Sequence, residues 1–303
     1  MTGHVATRHS WRDRLGHSEH VAGWTLVSPA VVLIGVFGLL PVLMSLTLSF
    51  QHSDLLTPET PWVGLENYRK LADDPVFVDA IKHTIIYTAL FVPGTMIVGL
   101  LVAAALNRSV RFISVYRTAA YVTMAVSTIS QGIIFLWLTD RDYGLVNAAL
   151  NTVGISSQPF LASPSQALYV IVAMTIWGWT GFSVIVYLAA LQGVPAELHE
   201  AAAIDGASAF TRFRTITVPL LGPANIFLVV WLTINALQLF DEVYATTRGG
   251  PLRATTVIVY YLWDRAFVQF DAGYAAAMAY VLFVVILVIT AVQFRLARRY
   301  VHT

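Results

Sequence analysis

Cysteine is missing from all 303 residues, which excludes disulfides, iron–sulfur clusters and cysteine nucleophiles. Charge is scarce as well. Asp, Glu, Lys and Arg make up 12% of the chain, about half of what a soluble domain carries. Lysine occurs only at Lys70 and Lys82. Neither follows a glycine, so the chain lacks the G-x-x-x-x-G-K-[ST] loop that places a lysine on nucleotide phosphates. No H-E-x-x-H metal pair and no G-x-S-x-G elbow is present. His17 and His20 lie three apart, but in a polar tail, and His83 and His199 are isolated. A net charge of +1 gives nucleic acid no basic surface to bind. An enzyme reading therefore has no catalytic constellation to rest on.

What is abundant is apolar: 57% of residues are hydrophobic, in runs that meet the ~20 residues needed to cross a bilayer. Six spans are expected, at about 25–50, 84–106, 118–139, 168–191, 215–240 and 272–294. The organisation is a polar tail, 1–23, and one membrane domain, 24–303, all-α. The first run is too long for a signal-peptide core and is expected to remain as a helix. Gly94, Gly99, Gly178 and Gly181 lie within spans and read as sites of close helix packing. The tail, the 107–117 and 192–214 loops and the C-terminal end together hold eleven arginines against five acids. The opposite segments hold seven basic residues against twelve acids. The positive-inside rule then puts both termini in the cytoplasm.

The longest charged stretch with helical character in the second half is Val194–Pro219, on the same face. Pro195 suits the start of a helix. Ala196 to Ile204 is rich in helix formers. Gly206 offers a left-handed stop, and Ser208 can cap a second short helix that Pro219 limits. Within it, E-A-A-x-x-D-G-A-x5-F-x-x-I-x-x-P is carried by Glu200, Ala201, Ala202, Asp205, Gly206, Ala207, Phe213, Ile216 and Pro219. This resembles the EAA loop of ABC-importer permeases. The likeness implies a coupling helix seated in a groove of a cytoplasmic ATPase.

The external segments extend the resemblance. Trp62–Leu71 contains V-G-L-E-N-Y, and T-x-G-G-P-x-x-A-T follows the fifth span. Both are similar to carbohydrate-uptake permeases of the maltose type. Thr247, Gly249, Gly250 and Pro251 then correspond to an external loop that contacts a solute-binding protein. The resemblance implies a type I importer permease of MetI-like fold in a bacterial inner membrane. It also implies a second, similar permease chain and a dimer of ATPase subunits that bind ATP and magnesium, with no cofactor held here. The solute it implies is a sugar, an oligosaccharide or a glycerol-phosphate compound. Val257–Trp263 is too short to span and suits a strand or a short helix, and 140–167 reads as loop.

Polar side chains in spans are costly and usually face a cavity or a partner helix. Gln131, Trp177, Trp179, Asn235, Gln238 and Asp241 are the candidates for a solute path. Positions 235, 238 and 242 fall near one helical stripe, with 241 close by. Aromatic faces and amides are the groups that recognise sugars, although interhelical bonding and ordinary packing use the same residue types. No lysine or arginine lies inside a span, which favours a neutral or zwitterionic ligand. A secondary transporter is the competing reading; it calls for an internal repeat and mid-span coupling acids, and neither is seen.

Overall fold

A computed structural model describes residues 19–54, 56–108 and 111–301, and the side chains between 23 and 297. The expected tail, 1–23, lies outside them as far as residue 18. Among the described residues the chain is all-α, with two isolated β-bridges, Gln51 to Trp62 and Asp54 to Asp271.

Helix α1 runs through Glu19–Ile34, a π turn at Gly35–Leu39 and Leu40–Leu48. Pro41 has no N–H to give the carbonyl of Phe37. The backbone widens instead, and the Leu40 N–H reaches back five residues to the Gly35 carbonyl. None of the span Gly23–Leu48 is buried within the chain; it rests on the rest of the molecule through α13, where the Tyr280 hydroxyl donates to the Val42 carbonyl. After α2 (Glu66–Asp73), the helix α3 (Pro75–Leu106) starts nine residues before the expected second span. Asp74 caps it, accepting from the Val76 and Phe77 N–H groups at 2.9 and 3.3 Å, with Pro75 in the first turn.

The core is the pair α3 and α7 (Ala167–Gln192), with α10 (Gly222–Leu237) laid across it. Tyr87, Phe91, Ile171, Met174, Val184, Leu228 and Leu232 are buried there. Gly99 lets the two long helices touch: a Cβ would stand 2.5 Å from the Ser183 Cβ. The expected role of the span glycines as packing sites holds in this respect.

Two expected spans are broken. Residues 118–139 form α4 (Ile113–Ala125) and α5 (Thr128–Leu138), bent by 100° at Val126 and Ser127, which are extended. Residues 215–240 lie within α9 (Ala209–Leu220) and α10, bent by 65°. Pro219 does not end its helix as expected. A π turn at Phe213–Thr217 absorbs it as at Pro41, with the Val218 N–H on the Phe213 carbonyl, and the break falls later, at Leu221 before Gly222-Pro223. The segment read as loop, 140–167, contains α6 (Leu145–Thr152). Beyond α10 come α11 (Asp241–Ala245), α12 (Ile258–Trp263) and α13 (Ala272–Val301). Four helices are long and apolar enough to cross a membrane, and six spans result if each bent pair counts as one.

Outside the main core, α2, the start of α3, α12 and the start of α13 converge on a second apolar cluster that includes Leu71, Phe77, Ile258 and Met278. The Asp74 carboxylate seals it, accepting from the Tyr261 and Tyr274 hydroxyls at 2.6 and 2.7 Å, while Arg265 bonds the Tyr261 hydroxyl and stands 3.7 Å from Asp74.

Candidate functional site

The polar residues singled out in the sequence sort into three places. The first is the Ala196–Leu220 stretch. Helix α8 (Ala196–Ile204) ends in paired bonds from the Gly206 N–H to the Ala203 carbonyl and from the Ala207 N–H to the Ala202 carbonyl, at 3.1 and 2.9 Å. This closing pattern needs a left-handed residue, and Gly206 has φ +81°. The Ser208 hydroxyl then accepts from the Thr211 N–H. Arg212 folds back to donate to the His199 carbonyl at 3.2 Å, locking α9 against α8. Glu200, Ala201, Asp205 and Gly206 are exposed, and Ala202, Ala207 and Phe213 are half-buried. Ile204 and Phe210 are 87% and 73% exposed, so two large apolar side chains are offered with nothing of this chain to cover them. A cavity of about 840 Å³ opens beside them, reached by Arg108, Glu200 and Phe210.

The second place is the Thr247–Thr256 loop, which is closed on itself. The Thr247 and Thr255 hydroxyls bond each other at 2.6 Å, Thr255 donates to the Gly250 carbonyl and Thr256 to the Gly249 carbonyl. Gly249 has φ +80°, and a Cβ there would stand 2.7 Å from the Tyr260 ring and 2.8 Å from the Thr256 hydroxyl. Only glycine fits. The Gly250–Pro251 bond is cis. His83 and Thr84 of α3 hold the loop's far end through the Thr256 carbonyl and the Ile258 N–H. Leu252, at 89% exposure, is its outermost apolar group.

The third place is a cavity of about 250 Å³ between α3, α5, α7 and the junction of α10 with α11. Asn235, Gln238, Asp241 and Trp179 line it together. The expected continuous stripe does not bring them there. Helix α10 stops at Leu237, and the chain turns at Gln238–Phe240 before restarting at Asp241. The turn swings Gln238, Asp241 and Glu242 into one wall. The Asn235 amide donates to the Trp231 carbonyl of its own helix. Opposite stand Tyr87 and Phe91, with Phe91 edge-on to Trp179 at 6.3 Å between ring centres.

Gln131 and Trp177 are elsewhere. The buried Gln131 donates at 2.9 Å to the Val126 carbonyl freed by the 100° bend. Its amide oxygen fills the space over Gly178. It is a brace for the broken span. Trp177 packs on Phe135 at 5.9 Å. Sequence reasoning did not single out Tyr87, Phe91, Thr128 and Glu242 as lining residues. Glu242 shared the 235–238 stripe, but the others carry no mark in an apolar run, because only the folding of three separate helices brings them to one cavity.

With this geometry in hand, comparisons with known proteins are informative. The model of a family described as binding-protein-dependent transport system inner membrane component matches residues 95–302. A lactose transport system permease protein of Rhizobium radiobacter is 36% identical over 293 residues, covering 95% of this chain and 97% of that protein. A sulfoquinovosyl glycerol transport system permease protein of Agrobacterium fabrum is 34% identical over 290 residues, covering 95% and 94%. In fold, the chain is similar to a solved bacterial ABC transporter involved in the import of the acidic polysaccharide alginate, with a TM-score of 0.83 at 24% identity over 95% of this chain and 98% of that one.

Proposed function

The chain belongs to the family of inner-membrane components of binding-protein-dependent transport systems, and on that premise we propose that it is one of two permease subunits of an ATP-driven importer for a small, polar, sugar-type solute. The observation that carries the reading is the cavity in which two amides, Asp241 and Trp179 converge at the end of α10. Hydroxyl-rich solutes need such groups: amides and carboxylates bond the hydroxyls, and aromatic faces cover the apolar ring faces.

The three places then have distinct tasks. The exposed Glu200, Asp205, Ile204 and Phe210 of the Ala196–Leu220 stretch dock on a cytoplasmic ATPase dimer, which binds the ATP and magnesium. The Thr247–Thr256 loop, with Gly249, Gly250 and Pro251 fixing its shape, meets a solute-binding protein on the opposite side. A homologous second permease completes the cavity wall. Both termini lie in the cytoplasm, as the arginine distribution favours.

Replacing Asn235 or Gln238 with leucine tests the reading. Uptake in cells is expected to fall at least tenfold in one or both variants, while the assembled complex is still recovered and its basal ATPase activity persists. Loss of assembly in both would assign these amides to helix packing, and wild-type uptake in both would put the solute site on the partner permease.

A further inference from the structure

Family membership leaves the charge of the solute open: the relatives above are named for a neutral disaccharide and for a glycoside bearing a sulfonate. The cavity itself is not neutral on this question. Two carboxylates line it, Asp241 and Glu242, and no lysine, arginine or histidine does. Asp241 is exposed, and Glu242 is the more enclosed of the two. Neither takes part in an ion pair among the described residues.

Each element around the cavity can be checked for a compensating charge. Helix α3 contributes Tyr87 and Phe91, α7 contributes Trp179, and the α10–α11 junction contributes the amides, Leu239 and Phe240. Helix α5 contributes Thr128 at its N-terminus. That end carries roughly half a positive charge, against two full negative ones. The next basic group along the chain, Arg248, stands over the Tyr244 ring at 5.9 Å and lines a different, outer cavity with Tyr260 and Asp264. Arginine is thus met at the external mouth and is absent where the solute would be held. Walls of low dielectric strengthen the field of an unpaired carboxylate.

We propose that this cavity selects an uncharged or cationic polyhydroxylated solute, a neutral sugar or an amino sugar, and turns away phosphate, sulfonate and uronate groups, with Glu242 as the selecting residue. The inference rests on the solute-path reading above.

The absence of cysteine makes the field directly measurable. Asn235→Cys places one thiol in the cavity wall of the assembled complex in proteoliposomes. Its modification is followed by the mass of this chain, with the trimethylammonium-ethyl and the sulfonato-ethyl methanethiosulfonates as cationic and anionic probes. Both rates are normalised to reaction with free 2-mercaptoethanol. The normalised ratio of cationic to anionic rate is expected to exceed one by about 10-fold or more. It should fall several-fold when Glu242→Gln is added, and less with Asp241→Asn. A ratio of one or below overturns the proposal, as does a ratio that Glu242→Gln leaves unchanged; the solute path would survive either result. A thiol that reacts with neither probe removes the path and the charge filter together.

Discussion

Two loops of this chain are built on a left-handed glycine, and they have opposite surfaces. Gly249 and Gly206 have nearly the same φ, +80° and +81°. Around Gly249 the hydroxyls of Thr247, Thr255 and Thr256 are consumed by the loop's own groups, and Tyr260 closes over the backbone. Around Gly206 nothing lies within 4 Å of a Cβ position, and Ile204 and Phe210 stand open. The external loop is a finished shape that needs no partner to hold it. The cytoplasmic stretch has a fixed backbone and an unfinished surface, which is what a docking element requires. Identical backbone geometry therefore serves rigidity on one side of the molecule and recognition on the other.

The sharpest way to break this contrast is to put the same residue into both turns. Gly249→Val meets a positive φ and a crowded site, where Tyr260 cannot yield because it is stacked between Phe240 and Trp263. A cost of about 3 kcal/mol or more is expected, visible as a lowered melting temperature of the purified protein and loss of uptake. Gly206→Val meets only the backbone penalty, of order 1–2 kcal/mol. It should leave the protein folded but displace α9, so that co-purification of the ATPase suffers more than melting temperature. Equal thermal destabilisation by the two substitutions would dissolve the distinction.

A milder perturbation acts on the surface alone. Ile204→Ser with Phe210→Ser removes two exposed apolar groups and no internal contact of consequence. Melting temperature of the isolated chain should stay within about 0.5 kcal/mol equivalent of wild type, while ATPase recovery in pull-down falls at least tenfold. Undiminished recovery would show that the stretch is recognised through its charges.

The smallest effect is expected at the external clasp. Burial pushes the Asp74 carboxyl up, but bonds from Tyr261, Tyr274 and the Val76 and Phe77 N–H groups outweigh it and hold Asp74 below the ordinary carboxylate range. A folded-state pKa below the unfolded one adds stability that is present above the unfolded value, about 3.9, and is lost as pH falls through the folded one. Burial, helped by the bond to Asp74, pushes Tyr261 up to about 12. Its contribution is complete below the ordinary tyrosine value of about 10 and fades as pH rises from there. Wild type should therefore melt at a constant temperature between about pH 5 and pH 9. Asp74→Asn should lie below it across that range by about 1.5–3 kcal/mol and converge with it in acid. A constant gap down to pH 2 would remove the carboxylate's role.

How much of this was legible in the sequence depended on the kind of signal. The Ala196–Leu220 stretch is polar and punctuated, and Gly206 and Ser208 act where they were read because turn chemistry is local. The bends at Val126–Ser127 and Leu221 were not legible. In apolar runs every helical face is hydrophobic, so no periodicity marks where a helix stops. Pro219 was misread because a single-residue rule ignores the backbone's option of widening into a π turn. The solute-path residues divide on the same ground. Asn235, Gln238 and Asp241 were placed together for the wrong geometric reason, a continuous helix, while Gln131 turned out to brace a bend the sequence did not announce.

The two π turns ahead of Pro41 and Pro219 each hold one residue of slack. A helix that takes up such slack moves everything beyond it by about 1.5 Å and turns it by about 100°. At Phe213–Thr217 that slack lies on the only covalent link between the ATPase-facing α8–α9 unit and α10, whose end walls the cavity. Phe213, the aromatic of the E-A-A motif, is the first residue of the turn. The joint is therefore a screw thread as well as a hinge: a push on Phe213 has a ready-made, one-residue step by which to become rotation of the helix below.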